Sequence, residues 1–64
     1  MKPHQERVVA EKKELDEKRT KLATFIGGDT YDALDQNEQG RLNRQLYVMD
    51  LYSGILGERI AAFT

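Results

Sequence analysis

The chain contains no cysteine, no tryptophan and only one histidine among its 64 residues. Without cysteine it can form no disulfide and no thiolate site for zinc or iron–sulfur clusters. One histidine cannot build a His-rich metal cluster, so we expect neither a metal nor a cofactor. A core in a chain this short rarely supplies more than about 3–5 kcal/mol. Association with other chains is therefore the expected source of further stability.

Long apolar runs and an excess of charge are also missing. No stretch approaches the roughly 18 apolar residues that a membrane span needs, and no apolar signal region follows the first lysine. The net charge of −1 argues against broad binding to nucleic acid, which requires a basic surface. A few local cations could still hold a small anion. The sequence therefore predicts neither DNA nor a membrane as a partner.

Proline and glycine are scarce, and their positions mark the ends of a first helix. Pro3 is the only proline and stands where a helix could begin. Residues 4–26 contain no proline and no glycine. Gly27-Gly28 follows, and glycine in the left-handed conformation commonly ends a helix. We predict a helix at about 4–26, roughly 34 Å long.

A second helix is predicted from a cap signal that follows a turn-rich joint. Asp29 or Thr30 can cap a short turn in this joint, and Asp35 with Glu38 three residues later has the spacing of a capping box. The predicted fold is one all-α domain over 1–64, with a helix at about 4–26, a joint at 27–35 that could include one helical turn, and a helix at about 36–63, paired as an antiparallel hairpin.

The second helix has a regular apolar seam. Steps of four and three residues select Leu42, Leu46, Met49, Ser53, Leu56, Ile60 and Phe63. Beside it runs a second apolar row of Val48, Ile55 and Ala62, with Tyr52 at the border of the first. This face is wider than one partner helix would cover. We therefore expect part of it to meet other chains in a helical homo-oligomer.

The first helix has a less regular seam with a lysine in it. The same spacing selects His4, Val8, Glu11, Leu15, Lys18, Leu22 and Phe25. Lys18 is predicted to point inward, where a lysine either extends its charge to water or donates to a ligand held in a groove between helices. In a two-fold dimer this cation would appear twice across one pocket. Thr20 is either an ordinary surface residue or a hydroxyl at the edge of that groove.

Other residues also allow two interpretations. Arg59 suits either a surface ion pair or recognition of a phosphate. A catalytic histidine needs a nucleophile and a partner that orients it, and the sequence offers His4 neither. His4 could instead stack on a base. Pro3 can pack against a ring. Gly54 and Gly57 lie within the second helix, where each glycine lowers the stability of the helix by up to about 1 kcal/mol relative to alanine. Glycines at this cost indicate close helix packing, a bend or room for a ligand. No constellation of an enzyme is present.

The sequence as a whole resembles a family of small phage proteins. The resemblance is carried by His4-Gln5-Glu6-Arg7-Val8-Val9, Glu11-Lys12, Leu15-Asp16-Glu17-Lys18, Lys21-Leu22, Phe25-Ile26, Met49, Tyr52-Ser53 and Leu56-Gly57-Glu58-Arg59-Ile60. These strings are similar to the anti-CBASS sponge proteins of the second type, which sequester cyclic oligonucleotide messengers made by bacterial anti-phage enzymes. The resemblance covers nearly the whole chain.

The resemblance implies an all-helical homohexamer that acts in the cytoplasm of the infected bacterium. Such a protein binds cyclic dinucleotides such as cGAMP, and cyclic trinucleotides, without cleaving them. The lysine and threonine of the family's dinucleotide pocket match Lys18 and Thr20, whereas its aromatic residue falls at Pro3 or, with a one-residue slip, His4. The arginine of its separate trinucleotide site matches Arg59, with His4 as the expected neighbour. The alternative function is a helical-hairpin module that binds a host or phage protein.

Overall fold

Three helices and no strand make up the computed structural model, which describes residues 1–64. Helix α1 comprises Pro3–Ile26, α2 comprises Asp29–Asp32 and α3 comprises Gln36–Ala61. Helices α1 and α3 pack side by side, and the molecule is a rod of 47 × 14 × 13 Å. The predicted all-α hairpin with a helical turn in its joint is confirmed. Helix α3 ends two residues before the predicted position.

Both long helices begin with the predicted residues. Pro3 occupies the first turn of α1, where its missing N–H is not needed. Asp35 is the N-cap of α3, and its carboxylate accepts a hydrogen bond from the backbone N–H of Glu38 at 2.8 Å. In a full capping box the Glu38 carboxylate would also accept a hydrogen bond from the backbone N–H of Asp35. Here that carboxylate pairs with Arg41 at 2.7 Å instead. Both helix starts are thus set by local residues.

The joint differs from the prediction at its two glycines. Gly27 has φ −84° and ψ 3°, and no residue of the chain has a positive φ. The predicted left-handed cap is therefore wrong, and the Gly27 N–H instead donates back to the carbonyl of Ala23 at 3.3 Å. Gly28 is extended, with φ −108° and ψ 174°, and is itself the N-cap of α2. It takes the position predicted for Asp29 or Thr30.

A small apolar core lies between α1 and α3. Its buried members are Val8, Leu15 and Leu56, with Met49, Ile60 and Phe63 packed against them. All seven residues of the predicted α3 seam are buried or half-buried, so that prediction is confirmed. Only 4 of the 64 residues are buried in the single chain. The hairpin therefore contributes a limited hydrophobic stabilisation by itself.

Helix α1 turns a different row of residues toward α3 from the one predicted. The buried or half-buried row is Gln5, Val8, Lys12, Leu15, Arg19, Leu22 and Ile26. The predicted alternatives His4, Glu11, Lys18 and Phe25 are exposed. The two rows share their leucines and Val8, so apolar spacing alone does not separate them. Lys18 consequently lies outside the α1–α3 groove, and its predicted inward position within the hairpin is wrong.

Candidate functional site

A polar groove of about 570 Å³ lies between α1 and α3 and contains no hydrophobic residue. Lys12 donates to Asp16 Oδ2 at 2.8 Å and to Ser53 Oγ at 2.9 Å, and the Ser53 hydroxyl donates to Asp16 Oδ1 at 2.5 Å. Beside this triangle, Arg19 pairs with Asp50 across the two helices. The four charges thus neutralise one another within the chain. The groove is a polar contact between the helices and offers a ligand no unpaired charge.

This network also shifts two pKa values. The pKa of Asp16 is lowered, mainly because hydrogen bonds from Lys12 and Ser53 favour the ionised carboxylate. The pKa of Arg19 is raised by its hydrogen bond to Asp50 and by the charge of that carboxylate. Both side chains therefore keep their charges at neutral pH.

Sequence periodicity missed this network, although one signal was present. When α1 is considered alone, its sequence suggests that the charged side chains of Lys12, Asp16 and Arg19 are exposed to solvent. Ser53 is the only polar residue of the α3 seam, however, and a hydroxyl in an apolar row requires a hydrogen-bonding partner when it packs against another helix. That requirement predicts a polar residue opposite it, which is Lys12.

The two mid-helix glycines of α3 have different surroundings. A Cβ built on Gly57 would lie 3.5 Å from Cε of Lys12, so the lysine stem crosses α3 at this point. A Cβ built on Gly54 would meet no atom within 4 Å. Both positions therefore have room for a Cβ, and packing within the hairpin explains neither glycine.

Lys18 and Thr20 lie on the exposed surface of the C-terminal half of α1. Lys18 takes part in none of the ion pairs of the chain. The Thr20 hydroxyl donates to the carbonyl of Asp16 at 2.9 Å, and its oxygen can still accept. Residues two apart on a helix point to nearly opposite sides. The fold therefore places these two side chains near each other along α1 and on different faces.

The other predicted residues lie at one end of the rod. Since α1 and α3 are antiparallel, the start of α1, with Pro3 and His4, lies at the same end as the last turns of α3, with Arg59. All three residues are exposed, and Arg59 takes part in no ion pair. Pro3 is about 22 Å from Lys18 at 1.5 Å per residue along the helix. One chain therefore presents two separate surfaces rather than a single pocket.

Arg59 also belongs to an exposed row that we call the outer seam. Its members, spaced four and three apart, are Val48, Tyr52, Ile55, Arg59 and Ala62, and all of them are exposed. The outer seam includes the second apolar row that the sequence predicts beside the α3 seam. Within one chain nothing covers it.

The fold contains neither a membrane-spanning helix nor a cluster of metal-binding side chains. None of its helices is long and apolar enough to cross a lipid bilayer. No three side chains among His, Asp and Glu lie close enough together to hold a metal ion.

The comparison with known families covers the hairpin almost from end to end. The family described as Sequestin matches residues 2–62, which include all three helices. No curated protein and no solved structure matches the chain. The family's name denotes sequestration, which indicates a binding protein rather than an enzyme and agrees with the sponge proteins that the sequence resembles. On this match the chain belongs to the Sequestin family.

Proposed function

We propose that this protein is a phage sponge that binds cyclic dinucleotide messengers of bacterial CBASS defence, with cGAMP among them, and releases them intact. We extend the proposal to cyclic trinucleotides and to action in the cytoplasm of the infected bacterium. The single observation that carries it is the Sequestin match over residues 2–62. The ligand class comes from the resemblance to the anti-CBASS sponges. Binding is stoichiometric, so the protein acts by lowering the concentration of free messenger.

The charge distribution is compatible with two anion sites. Lys12 and Arg19 are neutralised within the hairpin, whereas Lys18 and Arg59 have no partner in the chain. A charged hydrogen bond to a phosphate contributes roughly twice as much as a neutral one. Cations that are free in the single chain can therefore bind an anion without first breaking an internal ion pair.

The dinucleotide site requires two chains. About 22 Å separate Pro3 from Lys18 along α1, so one chain cannot place both on the same small ligand. If the α1 helices of two copies cross antiparallel, with a two-fold axis near residues 10–11, Pro3 of one copy faces Lys18 of the other. The symmetry repeats this pair about 22 Å away along the helices, so two chains form two such pairs, each with one Lys18.

Thr20 and Lys18 reach such a ligand in different ways. Their directions on α1 differ by about 200° at 3.6 residues per turn. A short threonine must face the ligand directly, whereas the long stem of a lysine can bend around the helix and bring its ammonium group in from the side. In this arrangement Thr20 accepts or donates a hydrogen bond and Lys18 supplies charge.

The trinucleotide site follows from the same symmetry argument at the other end of the rod. In a hexamer with 32 symmetry, the three-fold axis brings three copies of Arg59 together, one for each of three phosphates. His4 lies at this end of the hairpin and is proposed as the neighbour of the arginine. Pro3 has no aromatic ring, so any stacking at the dinucleotide site relies on a saturated ring face.

The second candidate function is a module that binds a host or phage protein. The observation that favours it is the exposed apolar surface of α3, where Val48, Leu51 and Ile55 are each more than half exposed. A closed oligomer hides such a surface, whereas a monomer leaves it open. Native mass measurement therefore separates the two candidates, since a hexamer favours the sponge and a monomer the module.

The decisive experiment is a calorimetric titration with cGAMP, followed by denaturation and recovery of the ligand. We expect saturable binding and unaltered cGAMP. Lys18→Ala should weaken binding tenfold or more, because a lost charged hydrogen bond of about 1.4 kcal/mol or more changes the affinity by that factor. Lys13→Ala removes another exposed lysine of α1 and is the matched control, with unchanged affinity expected.

Three outcomes would overturn parts of this proposal. No binding of any cyclic dinucleotide or trinucleotide would remove the sponge function. Recovery of linear products would indicate an enzyme. Equal affinity in Lys18→Ala and the unmodified protein would remove this residue from the site, and Arg59→Ala should affect trinucleotides alone.

A further inference from the structure

Helix α1 carries two rows of residues that fit the same surface of α3. Both rows contain the apolar column Val8, Leu15 and Leu22. The row that packs adds a buried or half-buried column of Gln5, Lys12, Arg19 and Ile26. The alternative row adds an exposed column, one residue earlier, of His4, Glu11, Lys18 and Phe25. Neighbouring residues point about 100° apart, so a roll of α1 by about 50° around its own axis exchanges the rows. Apolar contacts therefore permit two packings of this helix.

The hydrogen bonds between the two long helices belong to only one of these packings. Lys12 donates to Ser53 Oγ at 2.9 Å, and the Ser53 hydroxyl donates to Asp16 at 2.5 Å. Arg19 pairs with Asp50, and no other side-chain hydrogen bond joins α1 to α3. The alternative packing would carry Lys12 and Asp16 away from Ser53. Its hydroxyl would then face an apolar column without a partner, which is unfavourable.

These contacts can select a packing although they contribute little to stability. The side chains of Arg19 and Asp50 are 42% and 46% exposed, and ion pairs at such exposure are weak because water competes for both charges. Two packings with nearly the same apolar contacts differ little in free energy, however, so a small contribution to one of them shifts the populations. A polar residue in an apolar seam can fix the register of paired helices in the same way.

We propose that the five residues of this network act as a roll lock, which holds α1 in the packing that keeps Lys18 on the outer surface. Without the roll lock, α1 also populates the alternative packing, in which Glu11 and Lys18 turn toward α3. The network residues are therefore positioning residues, because they act on Lys18 through the orientation of its helix. The roll lock follows from the hairpin alone, and only its effect on ligand binding rests on the proposed function.

Thiol labelling tests the roll lock directly, because the chain has no cysteine of its own. Ser53→Ala combined with Asp50→Ala removes all the side-chain hydrogen bonds between α1 and α3. A single cysteine is then placed at Glu11, which is exposed, or at Gln5, which is 8% exposed. Its reaction with a water-soluble maleimide is followed at protein concentrations where the chains are separate. Loss of the roll lock should slow the reaction of Glu11→Cys severalfold and speed that of Gln5→Cys severalfold.

The slower reaction at position 11 distinguishes a roll of the helix from a loss of stability. Unfolding exposes side chains and raises labelling rates, so protection of an exposed position requires a new contact. Arg41→Ala is the matched control, since it removes an ion pair within α3 and should leave both rates unchanged. Faster labelling at both positions would show that the network only stabilises the hairpin. Unchanged rates would show that the apolar residues alone fix the roll, and either result would overturn the roll lock.

Titration with cGAMP separates the roll lock from the proposed function. The double variant Ser53→Ala and Asp50→Ala should bind severalfold more weakly than the unmodified protein, although both residues lie in the groove and outside the proposed ligand sites. Protection at position 11 with unchanged affinity would overturn the positioning of Lys18 and support the roll lock alone. The same protection in a protein that binds no cyclic nucleotide would support the roll lock and overturn the sponge function.

Discussion

The apolar seam of α3 from Leu42 to Phe63, which packs on α1 and which we call the inner seam, and the outer seam share one helix and one spacing. Their surroundings are nevertheless opposite. Leu56 is fully buried and its neighbour Ile55 is 53% exposed. The partner of the inner seam is α1, which the short joint keeps close at any concentration. The outer seam has no such attached partner. Heptad spacing alone therefore does not determine which face of a helix packs within the same molecule.

The largest difference between the two seams is expected when one side chain in each is truncated to alanine. Leu56→Ala should lower the free energy of unfolding by about 2–5 kcal/mol, because the cavity lies in the only core of the hairpin. Ile55→Ala should change it by about 0.5 kcal/mol or less at protein concentrations where the chains are separate. Urea unfolding followed by circular dichroism measures both. Similar losses in the two variants at high dilution would show that the seams do not differ as described.

A smaller effect tests the third side of α3, which belongs to neither seam. Gly54→Ala should raise the stability of the hairpin by up to about 1 kcal/mol, because alanine favours the helix and its Cβ would meet no atom within 4 Å. Gly40→Ala is the matched control in equally open space and should show a similar gain. If Gly54→Ala alone weakens association or ligand binding, another molecule approaches α3 at this glycine.

The smallest expected effect concerns the polar residue of the inner seam, Ser53, through its partner Asp16. The folded-state pKa of Asp16 lies below its ordinary value of 3.8. Its contribution to stability is therefore present above that value and is lost as the pH falls through the lower, folded-state pKa. Asp16→Asn should flatten this part of an acid unfolding curve. Asp32→Asn, at an exposed carboxylate without an ion pair, should leave the curve unchanged.

The sequence predicted α3 better than α1 for a physical reason. The α3 seam is apolar at six of its seven positions, so burial alone determines which face packs. In α1 the two possible rows share Val8, Leu15 and Leu22. They differ at three pairs of polar residues and at one apolar pair, Phe25 and Ile26. Their choice depends on partners across the groove, since Lys12 meets Ser53 and Arg19 meets Asp50. Periodicity within one helix contains no information about such pairs.

The predicted site residues show the same limit. The prediction that Lys18 lies inward followed from the wrong row of α1, and its proposed role now depends on a second chain. The left-handed cap at Gly27 failed for a different reason. Gly28 is extended and caps α2 at once, so the chain leaves α1 without a left-handed residue. The N-cap at Asp35 was predictable because its hydrogen bond to Glu38 depends on three residues of local sequence.

The small interior of the rod has a consequence for how such a protein can change over generations. With 4 of 64 residues buried, most substitutions alter the surface and leave the fold intact. Natural selection on this chain therefore acts mainly on what the surface touches. A lineage can change what the protein binds through surface substitutions while it keeps the same pair of helices.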